Sequence, residues 1–289
     1  LTLPTLIRRG YDKRVACGAI CASGTLGQII PPSLILILLS DIMQLSVGTL
    51  FAAAVGPGML LAGVYIVFLL VLGWLKPELM PPIPQAERDA VSRRELWIRF
   101  WKVVVPPIML VVSVLGSIVG GIAAPTEAAS MGAVGAILIT VGAGRFKWQV
   151  LKDVALETAR IPAIMMFMLM MAQVFALAFR GLHGEDLIVR LFELLPGGVN
   201  SDIWFMMALI FVLGFFIEWI EISYIAVPLF LPVLLAQGVE PVWLAMLITV
   251  NLQSSFLTPP FGWALFYLKG VAPPEVTIKD IYRGVIPFV

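Results

Sequence analysis

Ten residues, Gly24-Thr25-Leu26-Gly27-Gln28-Ile29-Ile30-Pro31-Pro32-Ser33, interrupt an uncharged run of 26 residues from Val15 to Ser40. Two glycines and a proline pair cannot continue a regular helix, because proline lacks the amide donor and clashes with the preceding turn. The flanking residues are apolar enough for a bilayer, so the break falls at membrane depth. Backbone freed there is tolerated only where it lines a protein cavity or coordinates something.

A second island, Asn251-Leu252-Gln253-Ser254-Ser255-Phe256-Leu257-Thr258-Pro259-Pro260, stands near the other end. Sliding the chain by 228 residues without a gap lays Pro31 and Pro32 on Pro259 and Pro260, Gly10 on Gly238, and Pro4 on Pro232. Leu1, Leu3 and Leu6 fall on Leu229, Leu231 and Leu234. Paired interrupted apolar segments in matching positions point to the binding site of a secondary transporter. The loop at Gly10 carries Arg8, Arg9, Lys13 and Arg14, whereas the equivalent Gln237-Gly238-Val239-Glu240 has no Lys or Arg. By the positive-inside rule the two loops face opposite sides, which predicts an inverted repeat.

Composition sets the class. With 60% hydrophobic residues, 13% charged and a mean hydropathy of +1.01 over 289 residues, there is too little polar surface to cover a soluble globule. The expectation is an all-α polytopic membrane protein with re-entrant hairpins and broken transmembrane helices. A net charge of +1 gives no nucleic-acid signal. Cys17 and Cys21, one helical turn apart, read as small packing residues. The chain starts without initiator methionine or signal peptide and reads as an internal fragment of a longer protein.

In order, residues 1–44 read as the end of a first hairpin followed by a broken helix, both in a transport domain. Residues 45–160 read as scaffold helices and a cytoplasmic loop, and 161–289 as the second repeat, with its own hairpin and broken helix. Phe51 to Leu75 supplies 25 uncharged residues, enough for a span, with a kink or a separate short entry helix at Gly56-Pro57-Gly58. Lys76 to Lys102 reads as a cytoplasmic loop entering an interfacial helix, with Trp97, Phe100 and Trp101 among basic residues. Val103 to Ala124 goes out, Ala128 to Ala143 returns, and Glu127 between them suits a helix N-terminus. Ile161 to Phe179 goes out again. His183 has no histidine or cysteine near it and reads as a surface residue. Leu187 to Leu195 is a short amphipathic piece. Ile203 to Ile217 and Ile222 to Ala236 have 15 uncharged residues each, short of the ~20 a span needs, so they read as a re-entrant hairpin. Val276 to Arg283 reads as a surface helix.

A helix broken at mid-membrane offers free amides to an anion at one end and carbonyl oxygens to a cation at the other. Ser23, Thr25, Gln28, Ser33, Asn251, Gln253, Ser254, Ser255 and Thr258 add neutral hydroxyls and amides, which suit ion coordination and substrate hydrogen bonds. Ser33, Asn251, Gln253 and Glu218 are candidate substrate ligands. Glu218 and Glu221 are carboxylates between apolar runs, costly at depth. They either cap the helix starting near Ile222, sit in a watery vestibule, or couple ions or protons.

These residues resemble the large membrane subunit of tripartite ATP-independent periplasmic (TRAP) transporters. The specific pieces are Arg9-Gly10-Tyr11-Asp12, Gly24 to Ser33, Ala124-Pro125-Thr126-Glu127-Ala128-Ala129 and Leu257-Thr258-Pro259-Pro260-Phe261-Gly262. The resemblance runs from Leu1 to Val289 and covers roughly the C-terminal two thirds of such a subunit. It implies an elevator-type sodium symporter in the bacterial inner membrane, with no cofactor beyond sodium ions. A periplasmic binding protein delivers a small organic acid, and a small four-helix membrane subunit braces the scaffold. One sodium maps onto Gly27, Ile30 and Pro31, the other onto Gly214, Ser255, Thr258 and Phe261. Departures are Ile217-Glu218-Trp219 where the family often has Leu-Asp-Pro, and Ser255 where glycine is common. The rival reading is an elevator-type anion/sodium symporter that works without a binding protein. An intramembrane enzyme lacks His-Glu-x-x-His, Gly-x-Ser-x-Gly or paired-aspartate signatures. A purely structural scaffold has no need of matched breaks, and no phosphate-binding glycine loop supports ATP-driven transport.

Overall fold

A lipid-facing backbone must satisfy its own polar groups, and an uninterrupted apolar sequence does so as helix. The computed structural model describes residues 2–82, 92–259 and 262–289, and every regular element among them is helical. In chain order these are α1 (Thr2–Arg8), α2 (Lys13–Thr25), α3 (Leu34–Ile42), α4 (Val47–Leu75), α5 (Arg93–Val119, with a π turn at Phe100–Val104), α6 (Pro125–Gly142) and α7 (Trp148–Gly181). There follow α8 (Gly184–Glu193), α9 (Val199–Leu213), α10 (Trp219–Ala236), α11 (Pro241–Ser255), α12 (Trp263–Val271) and α13 (Ile278–Val285). Of these, α4, α5, α6 and α10 are long and apolar enough to cross a membrane.

The chain divides into two compact units, residues 1–82 with 171–289, and residues 83–170. The sequence reading divided it at 44 and 160; here α4 clusters with the broken helices.

In the first unit, α2 and α13 lie so close that a Cβ on Gly18 would stand 2.0 Å from the Gly284 carbonyl oxygen. Small residues allow this approach, and dispersion over the shared surface holds helices together where lipid removes the hydrophobic drive. Around the contact, Cys17, Val276, Ile281 and Val285 are fully buried, and Tyr65 and Phe68 meet the Phe288 ring edge-on. The predicted surface helix at 276–283 is therefore packed along one face. Cys17 and Cys21 are buried free thiols in this core.

α4 runs unbroken through Pro57, so no separate entry helix forms. Proline costs one helical hydrogen bond, but Gly58 turns the position to use: a Cβ there would approach Ile30 to 3.0 Å, so the first break leans on α4. α7 begins at Trp148, well before the apolar stretch expected from Ile161, because the charges of 152–160 set where water begins and not where the helix does. The predicted amphipathic piece forms as α8, with Ile188 and Phe192 buried.

In the second unit, α5 packs on α6, where Gly135 accepts the Leu110 side chain and Gly132 that of Val114. The predicted interfacial helix and the following span form one run, α5, with Arg99 bonded to Glu95 at 2.5 Å. Glu127 reaches back to the Ala124 amide at 3.0 Å, the capping role expected of it. The predicted loop at 83–91 lies outside the described residues.

The 228-residue offset reappears in local geometry. α1 ends at Arg8 and α10 at Ala236; Gly10 and Gly238 follow with φ of +83° and +85°. At both places the glycine amide bonds three residues back, Gly10 to Ile7 and Gly238 to Leu235, and the next amide bonds five back, Tyr11 to Leu6 and Val239 to Leu234. Asp12 then caps α2 by accepting from Arg14 and Val15 amides, as Glu240 caps α11 by accepting from Val242 and Trp243 amides.

Candidate functional site

Both islands break their helices where the sequence places the breaks. α2 ends at Thr25, a 3-10 turn covers Leu26–Gln28, and α3 starts at Leu34 behind Ser33. α11 ends at Ser255 and α12 starts at Trp263. Between these ends lie main-chain carbonyls without helical partners, a ready source of neutral oxygen ligands.

At the second break the candidate ion ligands converge. The Thr258 hydroxyl, 2% exposed, reaches the Ser255 carbonyl at 3.2 Å and the Gly214 carbonyl at 3.5 Å. Gly214 ends α9, and a Cβ there would stand 2.7 Å from the Ser255 Cβ, so only glycine lets the α9–α10 turn come this near. Gly214, Ser255 and Thr258 therefore meet; Phe261 lies outside the described residues. At the first break Gly27 is exposed, Ile30 half-buried and Pro31 buried, all within one short irregular segment. The Pro31–Pro32 peptide is cis.

The candidate substrate ligands divide. Ser33 is buried and fully employed: its hydroxyl donates to the Gln28 carbonyl and accepts from the Leu36 amide, capping α3. Asn251 donates through Nδ2 to the Met207 carbonyl at 2.7 Å, tying α11 to α9. Gln253 is 3% exposed and donates through Nε2 to Thr25 Oγ1 at 2.9 Å and to the Tyr65 hydroxyl at 3.2 Å. Tyr65 is the residue sequence reading missed, because nothing distinguishes it inside a uniformly apolar helix.

Glu218 stands at the start of α10 with extended backbone, but its side chain makes no capping bond; its carbonyl does, to the Ile222 amide at 3.1 Å. Glu221 lies in the first turn of α10, with a buried Oε2 that has no hydrogen-bond partner among the described residues. His183 is exposed, in the left-handed region, 3.6 Å from Asp186.

A cavity of about 440 Å³ opens between the two broken helices, walled by Gly24, Thr25 and Gln28 on one side and Phe256, Trp263 and Tyr267 on the other.

Four helices long and apolar enough to span among the described residues, beside two shorter helix pairs broken at polar islands, define a multi-pass membrane protein with paired helix breaks. The family described as "Tripartite ATP-independent periplasmic transporter, DctM component" matches residues 1–289, and the chain belongs to it. It is 32% identical over 298 residues to the C4-dicarboxylate TRAP transporter large permease protein DctM of Rhodobacter capsulatus, covering 95% of this chain and 64% of that one. It is 29% identical over 294 residues to the protein of the same description from Pseudomonas aeruginosa, covering 96% and 64%. It is 30% identical over 303 residues to the isethionate TRAP transporter permease protein DctMQ of Oleidesulfovibrio alaskensis, covering 100% and 44%. The chain thus spans less than two thirds of the length of these curated relatives. They are transporter permeases, which sets the intramembrane-enzyme reading aside.

Proposed function

We propose that this chain is the ion- and substrate-binding part of a sodium-driven permease in the bacterial inner membrane. It takes up a small organic acid handed over by a periplasmic binding protein and works beside a small membrane subunit. Relatives whose descriptions name C4-dicarboxylates, isethionate and sialic acid support an acidic substrate. The family match over the whole chain favours this over a carrier without a binding protein.

The observation that carries the sodium assignment is the meeting of Gly214, Ser255 and Thr258 at the second break. Neutral carbonyl and hydroxyl oxygens on irregular backbone at membrane depth suit an alkali cation, and a helix C-terminus adds negative potential. Gly27, Ile30 and Pro31 are proposed as the first site on the same chemistry, with Phe261 joining the second. Glu218, which makes no side-chain cap, is available for substrate or coupling.

An elevator movement of an inverted repeat is part of the reading, supported by the burial pattern. Shifted by 228 residues, the cavity walls Trp263 and Tyr267 become Ile35 and Leu39, both fully buried on α3, the helix that α10 packs against.

The test is uptake into liposomes by the full-length permease with its small subunit and binding protein. An imposed sodium gradient should drive it. Thr258→Val should raise the sodium concentration for half-maximal uptake about tenfold, equivalent to about 1.4 kcal/mol, at wild-type protein level. Gradient-independent uptake would overturn the sodium assignment.

A further inference from the structure

The carboxamide of Gln253 has two N–H groups, and both are spent: one on Thr25 Oγ1, the other on the Tyr65 hydroxyl. Each acceptor passes its own proton outward, Thr25 to the Ala22 carbonyl at 2.9 Å and Tyr65 to the Phe288 carbonyl at 3.0 Å. Every proton in the chain is therefore assigned, and the amide has one orientation. Gln253 and Thr25 sit on the last turns of the helices that end at the two breaks. Their separation fixes how those helix ends stand to each other.

Tyr65 comes from elsewhere. It is 8% exposed on α4, between Val64 and Ile66 at 54% and 58%, so it alone of the three turns inward. Its ring is held edge-on by Phe288 at 5.3 Å, and Phe288 follows the helix whose Gly284 meets Gly18. One hydroxyl thus connects α4, the last turn of the chain and the second break, and through Gln253 the first break.

We propose that Tyr65 is a positioning residue for ion binding: it orients Gln253 so that the ends of α2 and α11 hold the arrangement in which the oxygens of both breaks accept a cation. Tyr65 touches neither set of candidate ligands. Its removal leaves a buried N–H of Gln253 unpaired, and the amide then has no reason to keep one orientation. This rests on the sodium assignment above.

The experiment titrates sodium-driven uptake by the full-length complex in liposomes for wild type, Tyr65→Phe, Gln253→Leu and the double variant. Tyr65→Phe should raise the half-saturating sodium concentration about five- to tenfold while changing the maximal rate less than about twofold. In the Gln253→Leu background the same substitution should shift it less than about twofold, because the coupling runs through the amide. If Tyr65→Phe inserts poorly, the sodium-induced rise in Tm of the purified protein gives the same comparison without transport, and Thr25→Ala should reproduce the shift from the other side. A lower Tm with unchanged sodium response, or additive shifts in the double variant, overturns the proposal. A wild type without sodium dependence removes the preceding assignment instead, and this one with it.

Discussion

Gln253 Nε2 donates to Thr25 Oγ1 at 2.9 Å, and these two residues are 228 positions apart, the offset that superposes the two islands. Each is the other's counterpart. In the proposed two-fold arrangement, a position can bond its own counterpart only where the axis passes between them, so this hydrogen bond would mark the axis. An axis lying in the membrane plane puts equivalent loops on opposite sides.

That gives a test. Arg8 and Ala236 are counterparts, both exposed at a helix end and neither part of the caps at Asp12 and Glu240. Single cysteines there should react with an impermeant thiol reagent from opposite faces, Arg8→Cys only from the cytoplasm and Ala236→Cys only from the periplasm. Labelling of both from one face would remove the inverted repeat.

Gly214 is tight against Ser255. An alanine there needs about 1 Å of relief from a buried helix end, an overpacking that costs about 1–3 kcal/mol. Gly214→Ala should lower Tm, and the double variant Gly214→Ala with Ser255→Gly should recover most of the loss, because it deletes the atom in the way. Equal destabilisation with and without Ser255→Gly would place the strain elsewhere.

Asp280 closes a reciprocal cap on α13. Its Oδ2 accepts from the Thr277 hydroxyl at 2.6 Å and amide at 3.0 Å, while its own amide donates to Thr277 Oγ1 at 3.2 Å. The Thr277 hydroxyl bond first, then the amide bond and the charges of Lys13 and Arg14, hold this carboxyl below its ordinary value. A folded value below the unfolded one means the cap stabilises α13 fully above the ordinary carboxylate range, about pH 4, and is lost as pH falls toward the folded value. Hydrogen-exchange protection of residues 279–281, corrected for intrinsic rates, should fall on acidification in wild type and stay flat in Asp280→Asn. Identical profiles would exclude the cap as the titrating element.

What could be read from sequence follows from how local each signal is. The breaks at Gly24 to Ser33 and Asn251 to Pro260, the Glu127 cap and the amphipathic α8 depend on neighbours within a few residues, and the structure has them where expected. Pro57 does not part α4 into two helices, because proline weakens a helix by an amount that packing of Gly58 on Ile30 can outweigh. Tyr65, Gly18 and Gly284 were illegible: each matters through a partner more than 180 residues away, and one sequence carries no mark of such pairing. Ser33 and Asn251 were legible as polar residues at depth, but not as side chains already committed to backbone carbonyls.

The turns at Gly10 and Gly238 share their glycine conformation, their hydrogen bonds and their caps, yet Lys13 and Arg14 follow one cap where Pro241 and Val242 follow the other. The residues that shape the turn and the residues that tell the insertion machinery which side to leave it on are therefore different residues. A segment so built can have its side-determining charges exchanged with neither glycine turn nor the Asp12 and Glu240 caps altered. Orientation and turn geometry are to that extent separately adjustable, which is what an inverted repeat built on one turn design requires.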